Sequence, residues 1–227
     1  MNFFCRIASL VVPQYNETKW KLKIEIWFPK GRKQKGGLRS MELYERCLEK
    51  TMELVSEQGT HFTMSELAAS LGISKKTVYQ MFESKEELLL AVAEHGFTQI
   101  KQCEQRILQD PALSLTEKIR RLIIVLPEQY QKVNWYRVEV VAEKYPAVYR
   151  CIRRHLETGW EPTLALLQQG IDEGELEPFS LPVFQGMVIG SMEYFLTAPA
   201  FPESGMSYQQ ALDAMMDVLM KGIERRT

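Results

Sequence analysis

The residue types that most often carry catalysis or hold a metal are sparse and scattered in this chain of 227 residues. His61, His95 and His155 stand far apart, and Cys5, Cys47, Cys103 and Cys151 form no CxxC pair. No HExxH, GxSxG or GxxxxGK[ST] run occurs, and no glycine-rich turn follows a strand pattern. An enzyme is therefore not expected, nor a cofactor or a metal. The cysteines read as reduced thiols that pack as small hydrophobes.

One spacing does recur, and its chemistry is structural. Thr63 and Glu66, Ser84 and Glu87, and Ser114 and Glu117 each place a hydroxyl three residues before a carboxylate. The hydroxyl accepts from the backbone amide three residues on while the carboxylate reaches back, so each pair marks a helix start. Phe62 and Leu67 flank the first pair as a hydrophobic staple.

These caps divide the region after Ser40 into helices. Cys47, Leu48, Thr51, Leu54 and Val55 share one face of a first helix that ends at Gly59, with Glu42, Glu45, Arg46, Glu49 and Lys50 mostly opposite. A second helix spans Met64 to Leu71, where Ala68 admits a crossing helix, and Gly72 stops it. Ile73 plugs the turn and Ser74 caps a third helix, Lys75 to Met81. Two short helices across a Gly-containing turn are a helix-turn-helix. The helix opening at Ser84 is expected to run to about Gln109, where Leu88, Leu89, Val92 and Ala93 close the small core.

The run Gly59, Thr63, Leu67-Ala68, Gly72-Ile73-Ser74, Thr77-Val78-Tyr79, Phe82, Ser84-Lys85-Glu86 and Leu88-Leu89 resembles the TetR/AcrR family of bacterial regulators over about fifty residues. The chain departs from that pattern at Lys76, where the family often has a small residue, and at Thr60 and Val55, where it often has an aromatic. The resemblance implies a cytoplasmic homodimer that binds double-stranded operator DNA, more commonly as a repressor than an activator. It places Lys75-Met81 in the major groove, with Lys75, Lys76, Thr77 and Gln80 near bases or phosphates. Gln80 suits bidentate bonding to adenine, the lysines suit guanine acceptors or phosphate, and Thr77 suits phosphate or a thymine methyl. Tyr79 resembles the family's backbone-binding tyrosine and Lys85 its phosphate-binding lysine, with Ser74 and Thr63 at the helix N-termini beside phosphate.

Opposing this, residues 41–94 hold five Lys or Arg against ten Glu. A helical ligand-sensing or partner-binding dimer with an inactive DNA head stays open as the alternative. The bland readings of the same residues are a solvated face for Lys75 and Lys76, a helix-stabilising Thr77 and a core Tyr79.

The remainder reads as helical throughout. Helices are expected from Ser114 to before Pro127, from Trp135 to Lys144, from Pro146 to about Glu173 with a break near Gly159 to Pro162, from Pro182 to Thr197, and from Ser207 to Glu224. The last two are more apolar than one packing face needs. In the TetR-like architecture they pair with their copies in a four-helix dimer interface, which Phe184, Met187, Gly190, Leu212, Met215, Met216 and Leu219 would form, with Gly186-x-x-x-Gly190 allowing close approach. The resemblance places a small apolar or aromatic effector among the middle helices, near Cys103, Ile107, Leu122, Tyr130, Trp135, Tyr136, Val140 and Tyr194, although such stripes are also ordinary core.

The fold class is thus all-α, with an N-terminal three-helix helix-turn-helix DNA-binding domain and a C-terminal helical bundle for dimerisation and ligand binding. Residues 40–97 form the first and 98–227 the second. Residues 1–39 form a basic extension: residues 1–40 carry nine Lys or Arg against two Glu, a charge of +7, which leaves the rest at −8 of the total −1. Trp20 to Trp27 alternates like a lone strand without a partner. Three readings of this head are open: translation starting at Met41 after a purine-rich codon run at Lys35-Gly36-Gly37, a basic arm on DNA from Lys30 to Arg39, or a solvated tail. No apolar run reaches the ~18 residues of a membrane span, so no membrane partner is expected.

Overall fold

The computed structural model describes residues 35–131, 139–198 and 205–223. The basic extension up to residue 34, with its strand-like Trp20 to Trp27, lies outside them, as do Trp135, Tyr136 and the side chain of Val140. The chain divides into two compact units, residues 1–46 and 47–227. Every regular element among the described residues is helical.

Helix α1 spans Lys35–Gln58 and is followed by a short 3-10 turn, Gly59–His61. It starts five residues before the expected Ser40. Gly36 and Gly37 are poor helix formers, but propagation from the stronger sequence behind them adds one hydrogen bond per residue fixed. Cys47, Leu48, Thr51, Leu54 and Val55 are all buried, and Glu42, Glu45, Arg46 and Glu49 are exposed, as their spacing requires.

Helices α2 (Met64–Leu71) and α3 (Lys75–Met81) pack against each other, and α4 (Lys85–Gln109) follows. All three keep their expected bounds because their ends are chemically fixed. Gly72 takes φ +66° and donates its amide to carbonyls of the last turn of α2, a left-handed stop that a side chain would strain. Phe62, Leu67, Ala68, Val78, Phe82, Leu88, Leu89 and Val92 are buried around this small core.

Beyond it lie α5 (Leu115–Ile124), α6 (Glu128–Gln131), α7 (Glu139–Lys144), α8 (Pro146–Glu157), α9 (Glu161–Asp172), α10 (Leu181–Thr197) and α11 (Tyr208–Ile223). The helical stretch from Pro146 breaks where expected, at residues 158–160, where Gly159 takes φ +79° and Pro162 stands in the first turn of the next helix. Ile119, Leu167, Leu176, Phe184, Val188, Leu212 and Met216 form the heart of one apolar cluster. At Gly170 a Cβ would stand 2.8 Å from Leu176, so α9 admits the following loop only because this position lacks a side chain.

Candidate nucleic-acid interface and body cavity

The helix-turn-helix is built from caps outward. The Glu66 amide donates to the Thr63 hydroxyl at 3.1 Å, and the Thr63 amide donates to the Glu66 carboxylate at 2.6 Å. Ser74 accepts from the Thr77 amide at 3.0 Å, and the two hydroxyls lie 2.8 Å apart. The third box, Ser114 with Glu117, closes in both directions, and those bonds hold the Glu117 carboxyl below its usual range. The Ser84 box closes only halfway. Ser84 accepts from the Glu87 amide, but the Glu87 carboxylate takes the Glu83 amide at 2.7 Å instead of that of Ser84, so the reciprocal bond is displaced by one residue.

On α3 the expected reading face is turned outward. Lys75, Lys76, Tyr79 and Gln80 are exposed, Thr77 is half-buried, and Val78 between them is fully buried as the anchor. Tyr79 remains 43 % exposed, and Lys75 stands 5.7 Å from its ring centroid. It is therefore not a core aromatic. Thr63 and Ser74 are exposed at their helix N-termini.

Lys85 departs from expectation. Rather than pointing its ammonium outward for a phosphate, it donates to the carbonyls of Thr60, at 2.6 Å, and Phe62. Burial pushes its pKa down, aided by the charge of Lys144. Thr60 lies within the 3-10 turn and Phe62 directly after it, where backbone acceptors run out of helical donors, and a cation close in space but 23 to 25 residues away in sequence serves them.

In the body, a cavity of about 190 Å³ is bounded chiefly by apolar side chains. Leu122 and Tyr130 line it, as expected, whereas Cys103, Ile107 and Tyr194 do not. Tyr194 is instead 54 % exposed. The sequence reading missed Phe97, Trp160 and Met192 in its wall, and it missed that Met52 and Val55 of α1 and Leu89 and Val92 of α4 extend that wall into the helix-turn-helix core. Gly96 also lines the cavity, where a Cβ would make ordinary contact with the Tyr130 ring at 3.6 Å. Glu104, another wall residue, is raised by burial against the pull of Lys101, whose ammonium donates to it at 2.7 Å.

His155 also lines the cavity, and its imidazole stacks on Phe97 with centroids 4.2 Å apart. Its Nε2 lies 2.9 Å from Oε2 of Glu94, whose other oxygen accepts from Arg154 at 2.7 Å and from the Cys151 thiol at 3.3 Å. The His155 bond is the main cause that lowers the Glu94 carboxyl to about 2, while burial raises the Cys151 thiol to about 12. Cys151 and His155, four residues apart on α8, are thus brought onto the carboxylate of Glu94 on α4.

The expected dimer face also needs correction. Phe184, Leu212, Met215 and Met216 are buried within the chain itself, and Leu219 packs against the same cluster. α10, which carries Phe184, packs on α9, and α11, which carries the other three, packs on α5, so these four buried side chains are not available to a partner, while Leu219 stays half-buried. Met187 and Gly190 do face outward, and they share α10 with exposed Val183, Gly186 and Tyr194, all at helical spacing. Val218 on α11 is 72 % exposed, and added Cβ atoms at Gly186 and Gly190 would meet nothing within 4 Å.

Residues 48–92 match the family model described as bacterial regulatory proteins, tetR family. An uncharacterized HTH-type transcriptional regulator of Bacillus subtilis, YvaF, is 29% identical over 183 residues, covering 79% of this chain and 94% of that protein. A TetR/AcrR-family regulator from Thermobifida fusca superposes with a TM-score of 0.60 at 21% identity, covering 82% of this chain and 100% of the other. The regulator FadR from Bacillus subtilis, in complex with stearoyl-CoA, superposes with a TM-score of 0.56 at 19% identity, over 80% of this chain and 100% of that one.

Proposed function

Because this chain is a member of the tetR family, a DNA-binding transcriptional regulator, we propose that it acts as a dimeric repressor released from a palindromic operator by a small apolar effector. The observation that carries this reading is the exposed set Lys75, Lys76, Tyr79 and Gln80 on a short helix that Ser74 caps and Val78 anchors. Gln80 is the residue suited to a base edge, the lysines to phosphate or guanine, and the Tyr79 hydroxyl to the backbone. Thr63, Ser74 and Thr77 would bond phosphate from the helix N-termini. Lys85 has a structural role in this scheme.

Two reading heads need a two-fold partner, and the exposed Val183, Met187, Gly190 and Tyr194 of α10, with Val218 of α11, are the surface suited to a second copy. The cavity supports effector control because its wall includes Met52, Val55, Leu89 and Val92, which are also parts of the helix-turn-helix core. A ligand there changes that core directly, and it releases DNA in so far as it binds the non-reading arrangement better. At about 190 Å³ the space is below the roughly 300–1,000 Å³ of drug-sized sites, which favours a compact apolar or aromatic effector. Acyl chains are a second class to screen, given the ligand of the FadR neighbour.

Selection of bound sequences from a random duplex pool tests this. A palindrome enriched by the full chain, and lost with Tyr79→Phe combined with Lys76→Ala, is the expected result. No enrichment would defeat the DNA-reading claim and leave a ligand-sensing dimer with a silent head, the reading that the ten Glu of residues 41–94 favour.

A further inference from the structure

Glu94 on α4 and Cys151 and His155 on α8 present one donor atom each, all within 4.8 Å of one another. From this geometry we propose a binding site for a zinc-class divalent transition metal ion, held by the Glu94 carboxylate, the Cys151 thiolate and the His155 imidazole. It is independent of whether the chain reads DNA.

The donor chemistry is that of zinc-type sites: one sulfur, one imidazole nitrogen and one carboxylate oxygen. Cys151 and His155 are four residues apart on one helix, so both point from the same face one turn apart. Zinc bonded at ordinary lengths in a tetrahedron separates its donors by about 3.3 to 3.6 Å. Oε2 of the carboxylate lies 2.9 Å from the imidazole nitrogen and Oε1 lies 3.3 Å from the sulfur, and with one donor taken from each residue all three lie within 4.8 Å, so rotation of the carboxylate and side-chain rotamer changes bring the set to those separations. The Phe97 ring stacked on His155 holds the imidazole plane in place. Three protein donors leave a fourth position for water, and His155 borders the cavity, through which an ion has a path.

Two features oppose the ion and define the exchange. Arg154 holds one Glu94 oxygen at 2.7 Å, but its side chain is 45 % exposed and can swing into solvent. The buried Cys151 thiol must release its proton as the metal–sulfur bond forms, and the His155 Nε2 hydrogen that faces Glu94 must give way to a neutral tautomer protonated at Nδ1, which frees the nitrogen lone pair for the ion. The metal then replaces the thiol proton and the guanidinium as partners of the same carboxylate.

Titration of the reduced, chelator-stripped full chain with Co²⁺, followed by displacement with Zn²⁺, tests this. One ion per chain is expected, with a thiolate-to-cobalt charge-transfer absorption that Cys151→Ser abolishes and Cys103→Ser keeps. Glu94→Gln and His155→Gln weaken binding by about tenfold or more, a loss at least as large as that from removing outer-shell partners. Arg154→Gln tightens it by removing a competing cation. Failure to bind Co²⁺ or Zn²⁺ at micromolar concentration, or a charge-transfer band that survives Cys151→Ser, would overturn the proposal. Should Cys151→Ser not fold, the half-buried His155→Gln decides the matter through affinity: an unchanged affinity rules the site out.

Discussion

Lys85 holds its ammonium 4.0 Å from the centroid of the Phe62 ring while donating to the Phe62 carbonyl, so one residue at the start of α4 fastens both the side chain and the backbone before α2. Replacing it by Met keeps the apolar stem but leaves the Thr60 and Phe62 carbonyls without their cation. A loss of about 1–3 kcal/mol in unfolding free energy is expected, as for buried acceptors deprived of a partner. The slope of log affinity against log salt stays unchanged. A slope reduced by about one, with stability intact, would show a phosphate contact instead.

On α3 the opposite pattern is expected. Lys76→Ala weakens binding to every duplex about equally and lowers the salt slope by about one, whereas Gln80→Ala relaxes preference at one base position by about 1–3 kcal/mol. Both side chains are exposed, so thermal unfolding of the variants should match the parent within error. Binding titrations at several salt concentrations against matched and singly altered duplexes separate the two effects.

Gly72 has open space where a Cβ would go, with nothing within 4 Å, yet its φ is +66°. Gly72→Ala therefore destabilises through backbone conformation alone, by about 1 kcal/mol. Denaturant unfolding measures this, and an unaltered midpoint would contradict the left-handed stop.

Burial raises the Glu104 carboxyl. The folded chain thus holds this proton more tightly than the unfolded chain does. Its contribution to stability is complete below the ordinary carboxylate value and is lost as pH rises through the raised one. Glu104→Gln removes that loss, so the variant gains on the parent as pH climbs from below the carboxylate range toward neutrality. Unfolding curves at both ends check the sign, and a constant difference would refute it.

Met187→Lys places a charge on the exposed stripe of α10, where Met187 is 52 % exposed. It should convert the proposed dimer to monomers, as read by sedimentation, without loss of helical signal. Met216→Lys, at a fully buried site, should instead unfold the body. A dimer that tolerates Met187→Lys would place the interface elsewhere.

The sequence by itself determined where helices begin and end in the helix-turn-helix. Thr63 with Glu66, Ser74 with Thr77, and the left-handed Gly72 act through hydrogen bonds that span at most four residues, so their geometry follows from order along the chain. It also determined the outward face of α3, because Val78 alone among its neighbours had to be buried. Tertiary structure decided the rest. Two apolar stripes run along α10, and only packing against α8, α9 and α11 chose Phe184 and Val188 as core while leaving Met187 and Tyr194 to a surface. The partners of Lys85 lie 23 and 25 residues away, and the bonds between Glu94 and the α8 side chains span 57 to 61 residues. No periodicity encodes such pairs, since they exist only once packed helices bring distant turns within hydrogen-bond reach.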